Sequence, residues 1–225
     1  MRKFLYFLIF IFAFTGCNKT IPITQKTLDY GDNSTVYIPN VSLSNSNLSN
    51  DINSQIETRI KDNYAKIKNG RNGFTMEGFS AFENGDILSI FHEGFFEEEN
   101  AIMGESYLLT MHINIKNGKF YALDDLFLKD VDYRNELKSM ADTLLSSQLQ
   151  EYYLAYSLDL ENTSFDVYDN NLIFIFNPET VAGADMGFVD VTIPFSQIDH
   201  LLDKNGEFYK VLQNKKEWKQ FAFTL

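Results

Sequence analysis

Two stretches of the chain carry the three-to-four-residue spacing of a helix with one buried face. In the first, between residues 48 and 67, the recurring apolar positions are Leu48, Ile52, Ile56, Ile60, Tyr64 and Ile67. Ser46 or Asn47 can cap its N-terminus, and Asn69-Gly70 provides a stop. The second helix is predicted from about Asp132 to Gln150, with its core positions at Leu137, Met140, Leu144 and Leu145.

Between and after these helices the pattern alternates with the two-residue period of a strand. The alternation is clearest over Tyr107–Lys116, where the odd-numbered positions are apolar and the even-numbered ones mostly polar. Asn84-Gly85 and Asn117-Gly118 favour hairpin turns, and Gly78 interrupts one alternating run as a bulge would. The further strands predicted are Thr35–Pro39, Phe74–Phe82, Ile87–Phe96, Phe165–Tyr168, Leu172–Phe176 and Phe188–Ile193.

Three segments have weaker patterns. Leu123–Phe127 is predicted to be a turn-like connector, Phe195–Leu202 a further helix, and residues 207–225 a terminal helix or strand. Because strands joined by hairpins are broken by helices, the pattern favours an α+β fold: an antiparallel sheet built from hairpins with two or three helices packed on one face. Parallel βαβ alternation is not expected.

The first 16 residues have the features of an export signal. Arg2 and Lys3 precede the apolar run Phe4–Phe14, which as a helix would span about 16 Å, half of a bilayer core of about 30 Å. The run leads into Thr15-Gly16-Cys17, which resembles the bacterial lipobox, although Phe14 stands where Leu, Val or Ile is usual. The resemblance implies cleavage before Cys17 and a diacylglyceryl thioether on its sulfur.

A lipidated Cys17, with palmitate-type acyl chains, would hold the protein on a cell membrane or an outer membrane, with the rest of the chain outside the cytoplasm. Asn18–Asn33 is then predicted to be a polar tether. The expected organisation is a signal peptide over residues 1–16, a lipidated N-terminus and tether over 17–34, and one domain over 35–225, of which 204–225 is the least determined part.

The domain is acidic and rich in aromatic residues. The chain has 19 Lys and Arg against 31 Asp and Glu, a formal net charge of −12, and loss of Arg2 and Lys3 with the leader takes the mature chain to −14. Such a charge disfavours nucleic acids and anionic lipid head groups as partners and tolerates a cationic partner. The 21 Phe and 12 Tyr favour a β-rich core, and a single cysteine excludes an internal disulfide.

Few residues point to catalysis. His92, His112 and His200 are scattered, and His92 can face His112 across adjacent strands, which is more often a structural pair than a zinc site. The sequence has no Gly-x-Ser-x-Gly elbow and no phosphate-binding glycine loop, so neither a metal nor a cofactor is expected. Paired carboxylates of a glycoside hydrolase stay an alternative, because 31 acidic residues guarantee neighbouring carboxylates.

Two loops are candidate binding surfaces, because loop residues often serve recognition. Glu97, Glu98 and Glu99 end a strand beside the loop Asn100–Glu105, in which Gly104 is a further candidate. The three glutamates could attract a cationic protein or a divalent ion, or simply be solvated. The second loop is long and runs from Asn177 to Gly187, with candidate residues Gly183, Asp185 and Gly187.

Several segments resemble a known family. Ile113–Lys119 followed by Leu123–Phe127 is similar to the strand, Thr-Gly-Lys and Leu-x-Asp-Leu-Phe stretch of DUF3298-type domains. Val181–Gly187 leading into Val191–Pro194 resembles the glycine-containing loop and the Ile-Pro strand end of the same family. The order of the elements also agrees, and the resemblance extends over about residues 35–203.

The family includes the extracellular domain of a lysozyme-binding bacterial anti-sigma factor and the non-catalytic N-terminal region of a peptidoglycan deacetylase. The resemblance therefore implies a cell-envelope domain used for binding. Family members often carry Gly-Gly-Ala-His-Gly before the long strand, whereas Glu99–Gly104 retains only Ala101 and Gly104. No role of that histidine carries over to this chain.

We therefore expect a membrane-anchored extracytoplasmic lipoprotein that is not an enzyme. Its domain would bind a cell-envelope component such as peptidoglycan, or a cationic protein such as lysozyme. One alternative is a cell-wall polymer hydrolase, or a deacetylase-associated enzyme, with an unrecognised carboxylate site. Another is a structural envelope protein with no small ligand.

Overall fold

The computed structural model describes residues 21–30, 34–154, 159–160, 163–213 and 219–222, so the predicted signal peptide and Cys17 lie outside the described residues. The strands are β1 (Ile23–Leu28), β2 (Thr35–Val41), β3 (Gly73–Asn84), β4 (Ile87–Glu98), β5 (Glu105–Asn114), β6 (Phe120–Tyr121), β7 (Ser164–Tyr168), β8 (Asn171–Phe176), β9 (Val189–Pro194) and β10 (Lys219–Ala222). The helices are α1 (Ser46–Lys68), α2 (Tyr133–Leu149) and α3 (Glu207–Gln213), with short 3-10 turns at Leu123–Leu126, Gln150–Tyr152 and Ala184–Met186. The predicted α+β class is confirmed.

Helix α1 forms where the apolar spacing predicted it and buries Ile52, Ile56 and Ile60 completely. Its cap is Asn45 and not the predicted Ser46 or Asn47. The Asn45 side chain accepts hydrogen bonds from two backbone N–H groups of the first turn, at 3.1 and 3.2 Å, which the helix itself leaves unpaired. The predicted stop is confirmed, because Asn69 adopts a left-handed conformation with φ 44°.

The large sheet has the strand order β1-β2-β3-β4-β5-β6, and β10 also pairs with β3. Neighbouring strands are antiparallel except β2 and β3, which run parallel because α1 crosses over between them. The expectation that no parallel βαβ unit would occur is therefore wrong for β2–α1–β3. The apolar face of α1 packs on one face of this sheet, together with Phe79, Ile90 and Met111.

A second, three-stranded sheet has the order β7-β8-β9 and forms its own core with α2. It packs against the face of β5 opposite α1, since the even-numbered side chains Thr110 and His112 bond to the backbone of Phe165 in β7. The single sheet with all helices on one face is therefore wrong. After the two-residue β6 the chain leaves the large sheet, β7, β8 and β9 pair among themselves, and β10 returns to pair with β3.

The segment Phe195–Leu202, predicted as a helix, is a series of turns. Its backbone bonds connect residues three apart, as from Ile198 N to Phe195 O at 3.2 Å and from Leu201 N to Ile198 O at 2.9 Å. The buried side chains Phe195, Ile198, Leu201 and Leu202 have a helix-like spacing, which explains the error. Residues 207–225, predicted as a helix or a strand, contain both α3 and β10.

The hairpin predicted at Asn84-Gly85 is confirmed, but the bulge predicted at Gly78 is wrong. Gly78 lies opposite Glu93 in a register that runs unbroken from Gly73 to Asn84. The alternation seemed to slip because the core position beside Gly78 is held by a carboxylate, Glu77, which is buried.

The polar tether predicted over residues 17–34 is wrong for Ile23–Leu28, which is strand β1. This strand pairs with β2 along its whole length and buries only its first and last side chains. Its four central residues are polar and exposed, so the hydrophobic pattern of a core strand is missing. The folded domain therefore begins before Thr35.

Within the residues that the structure describes, no helix combines the length and the apolar character needed to cross a membrane.

Candidate functional site

A cleft of about 680 Å³ lies at an open edge of the large sheet. β5 pairs with β4 along its whole length, but β6 covers the other edge only at His112 and Ile113. Among the described residues, no strand therefore pairs with Tyr107–Thr110 on that side. Helix α1 and the short turn at Leu123–Leu126 line the cleft together with β5, and Ser164 and Phe165 of β7 close it below.

The backbone of this edge is only partly satisfied by the protein. Leu108 N donates to Asn177 Oδ1 at 3.0 Å, and Ser164 Oγ donates to Leu108 O at 2.8 Å. Backbone groups of alternate strand residues point to the same edge, so the N–H and C=O of Thr110 face the cleft as those of Leu108 do. Among the described residues no partner on that side bonds to these two groups, which we call the Thr110 backbone pair.

The cleft has a positive lining in an acidic protein. Its described lining residues include three cations, Arg59, Lys66 and Arg134, and one carboxylate, Asp124, which leaves a net charge of +2. Neither Arg59 nor Lys66 forms an ion pair with any described residue. Against a formal charge of −12 for the whole chain, this local reversal of sign is a specific feature of the cleft.

Arg134 is held in place by its neighbours. Its Nη2 lies 2.6 Å from Asp124 Oδ1, and its guanidinium carbon lies 5.4 Å from the centre of the Tyr133 ring. The Tyr133 hydroxyl also donates to Asp124, and this bond and Arg134 lower the pKa of the Asp124 carboxyl. The carboxylate therefore stays ionised, which fixes the guanidinium at the cleft rim.

The cleft also offers apolar surface. Phe120 is half-buried, and the guanidinium carbon of Arg59 lies 4.6 Å from the centre of its ring. Ile67, Leu108 and Leu109 are half-buried beside it. A ligand in the cleft would therefore meet cations, backbone hydrogen-bonding groups and apolar side chains together, which is the usual composition of a small-molecule site.

Tyr107 forms one wall of the cleft and is anchored in the core behind it. Glu77, Gly94 and Tyr107 lie in one row across β3, β4 and β5. A Cβ on Gly94 would lie 2.3 Å from the Tyr107 ring, so only glycine lets the ring cross β4. The Tyr107 hydroxyl then donates to Glu77 Oε1, which fixes the wall.

Glu77 and His92 form a buried polar pair under α1. Burial raises the pKa of Glu77 to about 7 and lowers the pKa of His92 to about 4. His92 Nε2 donates to Tyr37 O at 3.2 Å and lies 3.7 Å from Glu77 Oε2. The predicted facing of His92 and His112 is wrong, because His92 lies opposite Leu109 and points to the α1 side of the sheet.

His112 instead joins the two sheets. Its Nε2 donates to Phe165 O at 2.9 Å, and its Nδ1 accepts from Ser89 Oγ at 2.9 Å. Asp166 Oδ1 lies 3.9 Å from the same Nδ1. Burial lowers the pKa of His112 and raises that of Asp166. Although Ser, His and Asp meet here, both histidine and serine are buried, so the cluster is a structural link between β5 and β7.

The structure places the predicted acidic loop away from the cleft. Glu97 lies at the end of β4, Glu98 Oε2 lies 3.7 Å from Arg71, and Glu99 is exposed. A Cβ on Gly104 would lie 2.2 Å from the Phe95 ring, so Gly104 allows the loop to close against β4. At the loop tip, Ile102 and Met103 are 101% and 67% exposed.

The second predicted loop touches the cleft only at its first residue, Asn177. Gly183 precedes the turn Ala184–Met186, which contains the exposed Asp185, and Gly187 ends that turn with φ 65°. No hydrogen bond or ion pair joins this loop to Glu97–Gly104 within the described residues. The structure therefore does not bring the two predicted surfaces into one site.

No group of three or more His, Cys, Asp or Glu side chains suited to a metal occurs among the described residues. The expectations of no metal and no cofactor stay predictions.

Sequence reasoning missed the residues that make the cleft. Arg59, Phe120 and Arg134 are far apart in the chain, and no local pattern connects them. Two residues in the sequence could have indicated the wall of the cleft that Tyr107 forms. Gly94 lies inside a predicted strand, where glycine often marks a close approach, and Glu77 occupies an inward position of another strand.

Comparisons with known proteins agree with the resemblance found in the sequence. Residues 124–196 match the family described as “Protein of unknown function (DUF3298)”. A DUF3298 family member from Bacteroides fragilis NCTC 9343 has a TM-score of 0.59 at 14% identity, over 87% of this chain and 97% of that chain. A DUF3298 family protein from Pseudomonas aeruginosa PAO1 has a TM-score of 0.60 at 8% identity, over 84% and 98%. No curated protein matches the chain.

The two solved structures share the fold, and the family match covers α2 and the three-stranded sheet. It also includes Asp124 and Arg134, the ion pair at the rim of the cleft. Residues 124–196 therefore match the DUF3298 family, and the chain has the fold of the two solved structures.

Proposed function

We propose that this chain is a lipid-anchored extracytoplasmic protein whose domain binds a cell-envelope component in the cleft. The observation that carries the proposal is the cleft itself, which combines cations, an open backbone edge and apolar side chains. Within the described lining the only carboxylate is Asp124, which is engaged by Arg134 and Tyr133. This composition supports binding in preference to glycoside cleavage, which needs two carboxylates around the bond.

The anchor is supported by the basic start, the apolar run and the lipobox-like Thr15-Gly16-Cys17. Mass spectrometry of the protein purified from its host tests this part. We expect a chain that begins at an acylated Cys17. A chain that keeps the leader, or that carries an unmodified sulfur, would contradict the proposed location.

Binding is tested by sedimentation of the full-length protein with purified peptidoglycan sacculi, in detergent at tens of micromolar. We expect the protein to move into the pellet, and to do so less at high salt, because exposed charges are screened. Analysis of the supernatant covers the alternative function, since an enzyme would release soluble fragments. If the protein stays in the supernatant and releases no fragments, both the binding of peptidoglycan and its enzymatic cleavage are contradicted.

A second candidate partner is a cationic protein such as lysozyme, bound at the loop Glu97–Gly104. The specific observation in its favour is the exposed pair Ile102 and Met103 beside three glutamates. Pull-down with lysozyme discriminates the two sites. Binding that is lost in the double variant Ile102→Ser, Met103→Ser but kept when Arg59 is replaced would place this partner on the loop.

A further inference from the structure

We infer that the ligand of the cleft is a short peptide that carries carboxylate groups and lies extended along the open edge of β5. The inference rests on the proposed function and names the chemical class of the envelope component. It is supported by the charges, the backbone groups and the dimensions of the cleft.

The charges select an anion. Arg59 and Lys66 are seven residues apart on α1, so they project from the same side of the helix, two turns apart. Arg134 faces the same cleft from α2 and is fixed by Asp124. A guanidinium presents a planar fork that matches a carboxylate, and a partly desolvated cleft strengthens such pairs. A ligand with two or more carboxylates would neutralise the +2 of this lining.

The open edge selects a peptide among anions. The Thr110 backbone pair offers one N–H and one C=O at the spacing of a missing neighbouring strand. An extended peptide satisfies both groups at once, as in recognition by strand addition. A glycerol phosphate polymer has no amide N–H with which to pair with the Thr110 carbonyl. A glycan does not repeat N–H and C=O groups at the spacing of a neighbouring strand.

The dimensions limit the length of the peptide. The stretch Tyr107–Thr110, with which no strand pairs on this side, has four residues, which at about 3.3 Å each give about 13 Å, and the Thr110 backbone pair is the part of it left for a ligand to bond. The volume of about 680 Å³ is in the range of small-ligand sites. A peptide of three to five residues therefore fits, and Phe120 and Leu109 would cover its apolar side chains.

Calorimetric titration of the full-length protein in detergent tests the inference with three probes. These are a disaccharide-tetrapeptide released from peptidoglycan, the same disaccharide without its peptide, and a glycerol phosphate polymer. We expect only the first to bind. The double variant Arg59→Gln, Lys66→Gln should weaken that binding by about tenfold or more. The control Lys61→Gln should change it less than about twofold, because Lys61 pairs with Glu57 on the same helix and does not line the cleft.

Hydrogen exchange gives a second readout at the edge itself. The Thr110 amide should exchange at least about tenfold more slowly in the complex, because the peptide accepts its hydrogen. The Leu108 amide is an internal control, since it is already bonded to Asn177 at 3.0 Å and should change little.

Three results would overturn the inference: equal binding of the peptide-free disaccharide or the phosphate polymer, unchanged affinity in the double variant, or unchanged exchange at Thr110. If the protein sediments with sacculi in any of these cases, the proposed function survives without this ligand. If neither sacculi nor the tetrapeptide probe binds, both fail together.

Discussion

Replacing His112 by Ala is expected to lower the free energy of unfolding by about 4 kcal/mol. The substitution removes the hydrogen bond to Phe165 O and leaves the buried hydroxyl of Ser89 without its acceptor. It also opens a cavity between the two sheets, where the imidazole packs 4.7 Å from the ring of Phe165, centre to centre. Urea unfolding at neutral pH measures the change.

His200 supplies the matched control for this experiment. Its side chain is 62% exposed, and its ion pair to Glu136 at 2.9 Å lies at the surface. His200→Ala should therefore change the free energy of unfolding by less than about 0.5 kcal/mol. If His112→Ala were equally harmless, the proposed link between β5 and β7 would carry no stability, and the floor of the cleft would need another support.

The second large effect is a gain of stability in Glu77→Gln at neutral and alkaline pH. The folded protein holds the Glu77 proton up to a pKa of about 7, whereas the unfolded chain releases it near the ordinary value of 4.5. In the wild-type protein, the contribution of Glu77 to the free energy of unfolding is therefore fully present below about pH 4.5 and is lost as the pH rises through 7. The loss amounts to about 3 kcal/mol, and Gln does not suffer it.

The measurement is the difference in free energy of unfolding between Glu77→Gln and wild type, followed from pH 4.5 to 8. The difference should be small at pH 4.5 and should grow to about 3 kcal/mol in favour of the variant. The opposite contribution of His92, whose pKa is lowered to about 4, is present in both proteins and largely cancels. Glu93→Gln, at an exposed position of β4, is the matched control for removing a carboxylate from this sheet. A flat curve for Glu77→Gln would show that the carboxyl is ionised in the fold.

These two groups matter to the cleft because they hold the strand that forms its wall. Glu77 accepts a hydrogen bond from the Tyr107 hydroxyl, and His112 fixes the end of the same strand to β7. The Thr110 backbone pair lies between them. Buried hydrogen bonds on both faces of β5 therefore hold this strand, and with it the geometry of the cleft, in place.

The elements that depend on residues close together in the chain could be predicted from the sequence. α1 and α2 follow from their apolar spacing, and the hairpin at Asn84-Gly85 follows from its turn residues. β1 could not be found in this way, because its edge position leaves four polar side chains in solvent. Phe195–Leu202 was misassigned for the opposite reason, since buried turns gave it the apolar spacing of a helix.

The cleft could not be predicted because it depends on where distant elements meet. Arg59 and Arg134 are on different helices, and Thr110 matters only because β6 stops after two residues. The two loops were predicted as binding surfaces because their glutamates and glycines can be recognised within a short stretch of sequence. A missing strand, by contrast, is a property of the assembled sheet.

Methyl NMR of the full-length protein, titrated with a muramidase digest of peptidoglycan, tests the binding site most directly. We predict shifts for the methyl groups of Ile67, Leu108 and Leu109, which line the cleft, while those of Ile102 and Met103 stay unchanged. Shifts confined to Ile102 and Met103, or no shifts at any concentration of the digest, would contradict the assignment of the cleft as the ligand site.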